Sequence, residues 1–465
     1  MTNKPDIYDT PESKELSIKS LLEIFEDNGA THVYYKLLSP NDNSKNQPYL
    51  AGHLTDLSFL PSGEITESRT SSGKNNNPKR QIKYSIDLNF SWVSSCGQVF
   101  PAPNAKFIYY PQYPEVRLSG FVARCGFDMG GWMDPAKKGR AEGRVLFFGV
   151  TTSKQILAYL AVPDSRIAGE VVEFPSVEVT GVLKELTPEQ GVVVTTAKDA
   201  LLRELKRIHL KGWIEGKRLD KNGVEIAYVA QNGGGYTLEA ELGVVPNGYA
   251  DPDFMGWEIK QFGVKRCDLI SSKALTLMTP EPDGGFYVEH GVEAFMRKYG
   301  YKSERVADRM DFTGLHLLGR ECAKSGLMLV TSGYDHDKHV ITDAAGCIAL
   351  LDTEGNPASL WTFKKIMEHW KRKHSKAAYI PAVSQILKSN VRAYHYCQNI
   401  RLFEGASFLR LLHALTESHV YYDPGIKLEN CSTNPKSKRR SQFRIKSMQL
   451  GGLYEKQTDI DLMEN

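Results

Sequence analysis

The chain has 465 residues, more than one hydrophobic core usually serves, so two domains are expected. Apolar residues make up 41% and charged residues 24%, and no apolar run approaches the roughly 20 residues of a membrane-spanning helix, which excludes disordered and helical-membrane classes. The net charge of +3 is too weak to identify a nucleic-acid binder, so that inference has to rest on clustering of Lys and Arg.

Four basic runs stand out: Lys137 to Arg144, Lys206 to Arg218, Lys364 to Lys376 and Lys436 to Lys446. A run of this kind is more often a solvated face than a binding site. The N-terminus is polar and acidic where a signal peptide would be basic and then apolar, which leads to an expected cytoplasmic location. Seven cysteines (96, 125, 267, 322, 347, 397 and 431) are scattered and form no CxxC pair. That pattern speaks against a disulfide framework or a zinc site and for buried small hydrophobes.

From the N-terminus to about residue 165, short alternating or aromatic runs predominate: THVYYKLL, IKYSIDLNFSWV, AKFIYY, VRLSGFVARC, RVLFFGV and ILAYLAV. Gly, Pro and Asn clusters separate them, and helical periodicity is confined to Lys14 to Asp27, so a mainly β domain is predicted. Ser68 to Arg80 has the composition of a loop. After two more strand-like pieces, TPEQG marks a boundary, giving domains over 1–190 and 191–465. Thr196 to Leu210 then places Leu201, Leu202, Leu205, Ile208 and Leu210 on a helical stripe after a Thr cap. The remainder is mixed: GGGYTLEAELGVV as a Gly turn entering a short helix, DPDFMGWEIKQFGV as a turn and strand, SLWTFKKIMEHWKRKH as an amphipathic helix and AAYIPAV as a strand.

Within that second domain, Pro252-Asp253, four intervening residues and Glu258-Ile259-Lys260 fit the pattern PD…(D/E)xK. Two carboxylates suit a hard divalent cation, and a lysine beside them stabilises or deprotonates an attacking water. On a strand, Glu258 and Lys260 share one face while Trp257 and Ile259 turn to a core. Asp253 returns to the catalytic face if a tight turn forms at Gly256. Glu12-Ser13-Lys14, Glu204-Leu205-Lys206 and Glu215-Gly216-Lys217 also match ExK. Pro11 leaves the first without a strand, the second falls in a helical pattern, and the third has no upstream Pro-Asp. Asp335-His336-Asp337-Lys338-His339 looks like a metal cluster but reads better as a polar hairpin turn after Gly333. His209, His369 and His374 sit in helical patterns among lysines, where solvated or phosphate-facing roles are expected.

From about Ala197 to Tyr454 the chain resembles the MvaI/BcnI group of restriction endonucleases, relatives of the mismatch-repair nickase MutH in the PD-(D/E)xK superfamily. Ordered blocks carry the resemblance: Gly212-Trp213, Thr237-Leu238-Glu239, Pro252 to Lys260, Lys273 to Leu277, Arg297 to Gly300, the helix around Trp361, Tyr379 to Val383, Arg401-Leu402-Phe403, Tyr422-Asp423 and Gln442 to Ile445. It implies an α/β nuclease domain with a mixed central sheet, in which Asp253 and Glu258 hold Mg²⁺ and Lys260 orients the water. Glu239 would support a water of that cation, with Glu241 the weaker substitute. Asp423 and Arg444 would read bases in the major groove, as an Asp can accept from cytosine N4 and an Arg can fork to guanine O6 and N7. Lys273, Lys427, Arg439 and Arg440 would lie near the DNA. The implied target is a CCNGG-like site, CCWGG or CCSGG. Lys436 to Arg440 replaces the family's histidine-containing stretch, which leaves the exact target open.

The N-terminal domain resembles the effector-binding domain of EcoRII, a β-pseudobarrel shared with a class of plant transcription factors, on Val33 to Asn43, Phe107 to Tyr110 and Arg117-Leu118-Ser119. This implies a second DNA copy near Lys36, Asn41, Asn43, Lys45 and Arg117. The resulting expectation is a monomeric, Mg²⁺-dependent type II restriction endonuclease acting on double-stranded DNA, with a DNA methyltransferase as its functional counterpart. A MutH-like nicking enzyme and a non-cutting DNA-binding regulator are the alternatives.

Overall fold

A computed structural model describes residues 6–40, 47–69, 82–127, 130–134, 136–187, 197–230, 232–245, 253–268, 272–373, 376–387 and 391–464. Asn41, Asn43, Lys45, most of the Ser68 to Arg80 segment, the TPEQG boundary after Thr187, Thr196, Pro252 and His374 lie outside the described residues. The chain forms two compact units, Met1–Val194 and Thr195–Asn465. Among the described residues no helix is long and apolar enough to cross a membrane.

Unit 1 opens with two helices, α1 (Pro11–Glu15) and α2 (Ile18–Asp27). The sequence predicts one helix here. Ser17 divides it by adopting an extended backbone and accepting from the Ser20 N–H at 3.1 Å, which caps the second helix. Strands follow as β1 (Ala30–Leu38), β2 (Tyr49–Ala51), β3 (Ile65–Arg69), β4 (Ile82–Asp87), β5 (Phe90–Val93), β6 (Val99–Pro101), β7 (Lys106–Tyr110) and β8 (Glu115–Ser119). A short α3 (Gly130–Met133) leads to β9 (Arg144–Thr151) and β10 (Ile156–Ala161), and α4 (Arg166–Glu170) leads to β11 (Ser176–Glu178) and β12 (Lys184–Leu186). They build a seven-stranded sheet in the order β11-β12-β1-β9-β10-β5-β6 and a five-stranded sheet in the order β2-β8-β7-β4-β3. β10 is buried throughout and β9 almost so, matching their unbroken apolar runs. Arg144, buried at the start of β9, donates to the carbonyls of Ala141, Trp132 and Ser39 at 2.8, 2.6 and 2.8 Å. A charged donor spent on three backbone acceptors ties the end of β1 to the loop before β9.

Unit 2 begins with α5 (Ala197–Leu210), β13 (Ile214–Glu215), the hairpin of β14 (Lys217–Leu219) and β15 (Glu225–Ala227), and α6 (Gly233–Glu241). Next come β16 (Glu258–Gly263), β17 (Ala274–Met278), α7 (Phe286–Glu289), α8 (Gly291–Tyr299), β18 (Tyr301–Lys302) and β19 (Arg309–Thr313). β20 (Glu321–Cys322), β21 (Leu327–Ser332), the hairpin of β22 (Tyr334–Asp335) and β23 (Val340–Ile341), β24 (Cys347–Leu351) and β25 (Pro357–Thr362) precede α9 (Phe363–Lys373). The chain closes with β26 (Lys376–Ile386), β27 (Arg392–Tyr396), β28 (Asn399–Glu404), α10 (Phe408–Thr416), β29 (Val420–Tyr422), β30 (Gly425–Glu429), β31 (Lys436–Lys438), β32 (Phe443–Lys446) and β33 (Lys456–Asp461).

β26 is the hub of the mixed sheet. β16 runs parallel to it over Ala377 to Ala382, while β28 and β27 pair with it antiparallel along its two ends. β33 extends the sheet from β28, and β13 from β27. On one face, Leu201, Leu205 and Ile208 of α5 and Leu238 of α6 pack against Trp257, Ile259, Ala378, Ile380 and Tyr396. Trp257 is 1% exposed, and truncating a tryptophan in such a place costs about 3–5 kcal/mol.

Three local expectations change. The glycines before Thr237 lie inside α6: a Cβ on Gly233 would come within 2.6 Å of the Tyr394 hydroxyl, and one on Gly234 within 2.6 Å of Gln261 Oε1. Close approach of helix and sheet demands them there. Trp361 belongs to β25, where it pairs with Ile348 and donates to the Pro280 carbonyl at 3.0 Å, and the helix starts two residues later. Cys267 and Cys397 form a disulfide with Cα atoms 5.4 Å apart. Val264 and Cys397 donate from their backbones to the adjacent β26 carbonyls of Ala382 and Pro381, which brings together two cysteines 130 residues apart.

Candidate active site

Asp253, Glu258 and Lys260 come together on one hairpin. Phe254 and Trp257 exchange both backbone hydrogen bonds, at 3.0 and 2.8 Å, around the two-residue turn Met255-Gly256. Both turn residues have positive φ, 45° and 84°, the signature of a type I′ turn, whose twist suits a strand that follows directly. Asp253 is then folded back so that its Oδ2 accepts from the Ile259 N–H at 2.8 Å.

The period-2 alternation of β16 sends Ile259 into the core beside Trp257 and sets Glu258 and Lys260 together on the opposite face, where Lys260 Nζ pairs with Glu258 Oε1. Glu258 is 1% exposed, whereas the Lys260 side chain retains 29% exposure. Burial pulls the Lys260 pKa down, but the Glu258 charge outweighs it, with smaller support from Tyr379 and Asp253, and holds the ammonium above its ordinary value. Lys260 is therefore a charged donor. The two carboxylates are hard oxygen donors of the kind Mg²⁺ takes from protein, the rest of its shell being water and phosphate, so the residues present fit such a cation.

Glu239 and Glu241 have different surroundings. Glu241 is buried and clamped by Lys211 at 2.7 Å, Lys217 at 2.8 Å and Arg207 at 3.4 Å. Burial raises its pKa, but the two lysines outweigh this and lower it. Its carboxylate ties α5, β14 and α6 together. Glu239 is half-buried on the same helix, and its charge reaches the Tyr396 phenol.

Two residues not singled out from the sequence complete the face. Tyr379 is the register partner of Lys260, and it meets Phe403 edge-on at 5.4 Å, while Tyr454 lies against the same ring at 5.0 Å. Alternation held the signal for the first: Ala378, Ile380 and Ala382 face the core, so Tyr379 faces Lys260.

Asp423 and Arg444 are brought together elsewhere in unit 2. Arg444 lies on β32, between β17 and β29, opposite Thr276 and Tyr421. Its Nη1 donates to Asp423 Oδ2 at 2.7 Å and its Nη2 to the Ala274 carbonyl at 2.9 Å. Trp361, Tyr422 and Phe443 pack with ring centroids 4.8 to 5.3 Å apart, and two of them adjoin Asp423 and Arg444 in sequence. Arg439, Arg440 and Lys273 are exposed, and Lys427 sits on β30 between Asp311 and Lys438.

In unit 1, Arg117 on β8 pairs with Glu115 at 2.9 Å. Lys36 is 9% exposed on β1, where burial lowers its pKa. The Asp335 to His339 segment is a hairpin turn, with Asp335 Oδ1 accepting from the N–H groups of Asp337 and Lys338 at 3.0 and 2.9 Å. Among the described residues no three His, Cys, Asp or Glu side chains group as a cation cage. His209 is pinned to the sheet through the Tyr396 carbonyl at 2.7 Å, a structural contact where a solvated or phosphate-facing role is expected from the sequence.

A sequence model of the MvaI/BcnI restriction endonuclease family matches residues 202–454. Among solved structures, the chain is similar to the MvaI restriction endonuclease in complex with its cognate DNA substrate, at 18% identity and a TM-score of 0.42, over 57% of this chain and 98% of that one. It is also similar to MvaI in the absence of DNA, at 17% identity and a TM-score of 0.33 over the same shares. No curated protein matches.

Proposed function

The chain belongs to the MvaI/BcnI restriction endonuclease family, and from that premise we propose that it cuts double-stranded DNA at a short C/G-rich, CCNGG-like site, with Asp253, Glu258 and Lys260 as the cutting residues. The observation that carries this reading is the Glu258–Lys260 pair on β16, with Asp253 folded back onto the same strand. Asp253 and Glu258 would hold the cation, and Glu239 would support from α6. When bound, Mg²⁺ supplies Lewis acidity that activates water and offsets charge on the phosphate. The charged Lys260 donates toward the attacking oxygen and the phosphate, and the Tyr379 and Tyr454 wall keeps bulk water from its other side.

In the same reading Asp423 and Arg444 read bases, and Arg439, Arg440, Lys427 and Lys273 grip the backbone. Incubation of unmethylated plasmid with the protein and Mg²⁺ is expected to give linear product with ends at one short sequence, and excess chelator is expected to abolish it. Nicked circles without linear product would point to a nickase, and no cutting would remove the enzymatic reading.

For unit 1 we propose an effector domain of pseudobarrel type that binds a second DNA copy, with Arg117 and the segment after Pro40, which contains Asn41, Asn43 and Lys45, nearest to it. Cleavage by the full chain is expected to rise several-fold when a site-bearing duplex is added in trans. A chain lacking residues 1–190 should lose the response, and an unchanged response would sink the effector role.

A further inference from the structure

The turn that joins the cutting residues carries a side chain at odds with its backbone. Met255 has φ 45°, and the first position of a type I′ turn favours Asn, Asp or Gly. Among the described residues with positive φ other than glycine, it is the one apolar side chain; the others are Arg, Lys, Asp, His, Ser and Asn. It is also 56% exposed, while its neighbours Phe254 and Trp257 pack into the core. A lone exposed methionine needs no explanation, and neither does a strained turn residue held by tertiary contacts. Here strain and exposure coincide on the loop that connects Asp253 to Glu258, two and three residues from them.

Strained backbone persists where the surrounding structure holds it, and it clusters at active sites and ligand clamps. Two backbone hydrogen bonds and the Asp253 contact to Ile259 define the turn, and none of them needs a thioether. Asn at 255 would satisfy the turn better and keep an apolar group out of water. What a methionine adds is an unbranched, polarizable apolar arm next to the cation-binding carboxylates. DNA bound for cutting must present one phosphate to Asp253, Glu258 and Lys260, so the sugar and base edge of the adjoining nucleotide lie within reach of the turn. Apolar side chains, methionine among them, wedge at base steps in proteins that bend or unstack DNA.

We propose that Met255 is a DNA-contact residue that packs against the deoxyribose and base edge beside the scissile phosphate and positions that phosphate for attack. The inference rests on the reading of Asp253, Glu258 and Lys260 as the cutting residues.

The test uses Met255→Asn and Met255→Leu in the full chain. Cleavage is measured on the wild-type background, and binding on the Lys260→Ala background with a labelled duplex carrying the site recovered by end sequencing. Met255→Asn is expected to melt at or above the wild-type temperature and to lose about tenfold in affinity and in single-turnover rate at subsaturating enzyme, a difference of about 1.4 kcal/mol. Met255→Leu should restore most of both. With 2-aminopurine beside the cut, fluorescence should rise on binding the Lys260→Ala protein and rise less with the double variant. Wild-type cleavage and binding by Met255→Asn, or a joint fall of melting temperature and activity, overturns the proposal. Failure of the underlying reading looks different: Lys260→Ala itself would cut.

Discussion

Lys260→Ala is expected to cut plasmid DNA slower than wild type by on the order of 10²–10³-fold, the range for loss of one preorganised donor to developing charge. Affinity for a site-bearing duplex should change by no more than a few-fold. The argument starts from exposure: Glu258 is buried at 1%, and Lys260 reaches from it to the surface. Glu258 keeps Lys260 charged despite burial, so the side chain acts as a directed donor at the mouth of the site. Its removal takes away a group that matters most when charge builds on the phosphate, which is why rate should fall and binding should not. Lys260→Arg keeps the charge but widens the head group beside Tyr379, and it should recover less than a tenth of the lost rate. Melting curves recorded with Mg²⁺ separate this from misfolding. Cutting by Lys260→Ala within tenfold of wild type would remove Lys260 from the mechanism.

The hairpin was legible because its chemistry and its geometry are both local. From Trp257 to Lys260 the side chains alternate between core and site, and the Gly256 turn signal stands in the sequence beside them. The decoy Glu204 is on α5, bonded to Arg207 one helical turn on at 2.8 Å, as its helical pattern predicts. What escaped the sequence depends on partners far along the chain. The amphipathic stretch around Trp361 predicts a helix, yet pairing with β24 claims Trp361 for a strand. Helix glycines are unfavourable by local propensity, and only the contact of α6 with Gln261 and Tyr394 explains them. The Cys267–Cys397 bond has no spacing signal, since β26 alone brings the two together. The burial of Lys36 is likewise invisible to local pattern, since it depends on what packs over that face of β1.

Arg444→Ala is expected to weaken cognate binding and cleavage by about 10- to 100-fold, the value of one bidentate base contact, and to leave non-cognate binding nearly unchanged. Asp423→Ala should cost almost as much, and the double variant little more than either. That non-additivity follows from the geometry: Arg444 spends one N–H on Asp423 and one on the Ala274 carbonyl, which fixes the plane of its fork. A guanidinium has five N–H donors, so both Nη atoms retain a hydrogen for guanine O6 and N7 while the pair stays intact. Asp423 in turn keeps its other carboxylate oxygen for cytosine N4. On the proposed reading the two residues act as one reading head, and loss of Asp423 would release the fork of Arg444. Asp423→Asn keeps an acceptor for Arg444 and should recover part of the loss. Arg439→Ala and Arg440→Ala serve as the contrast: exposed cations that grip phosphate should weaken every sequence alike and flatten the salt dependence of binding. Additive losses at 423 and 444, or losses equal on cognate and non-cognate duplexes, would assign this pair to the backbone and place sequence reading elsewhere in unit 2.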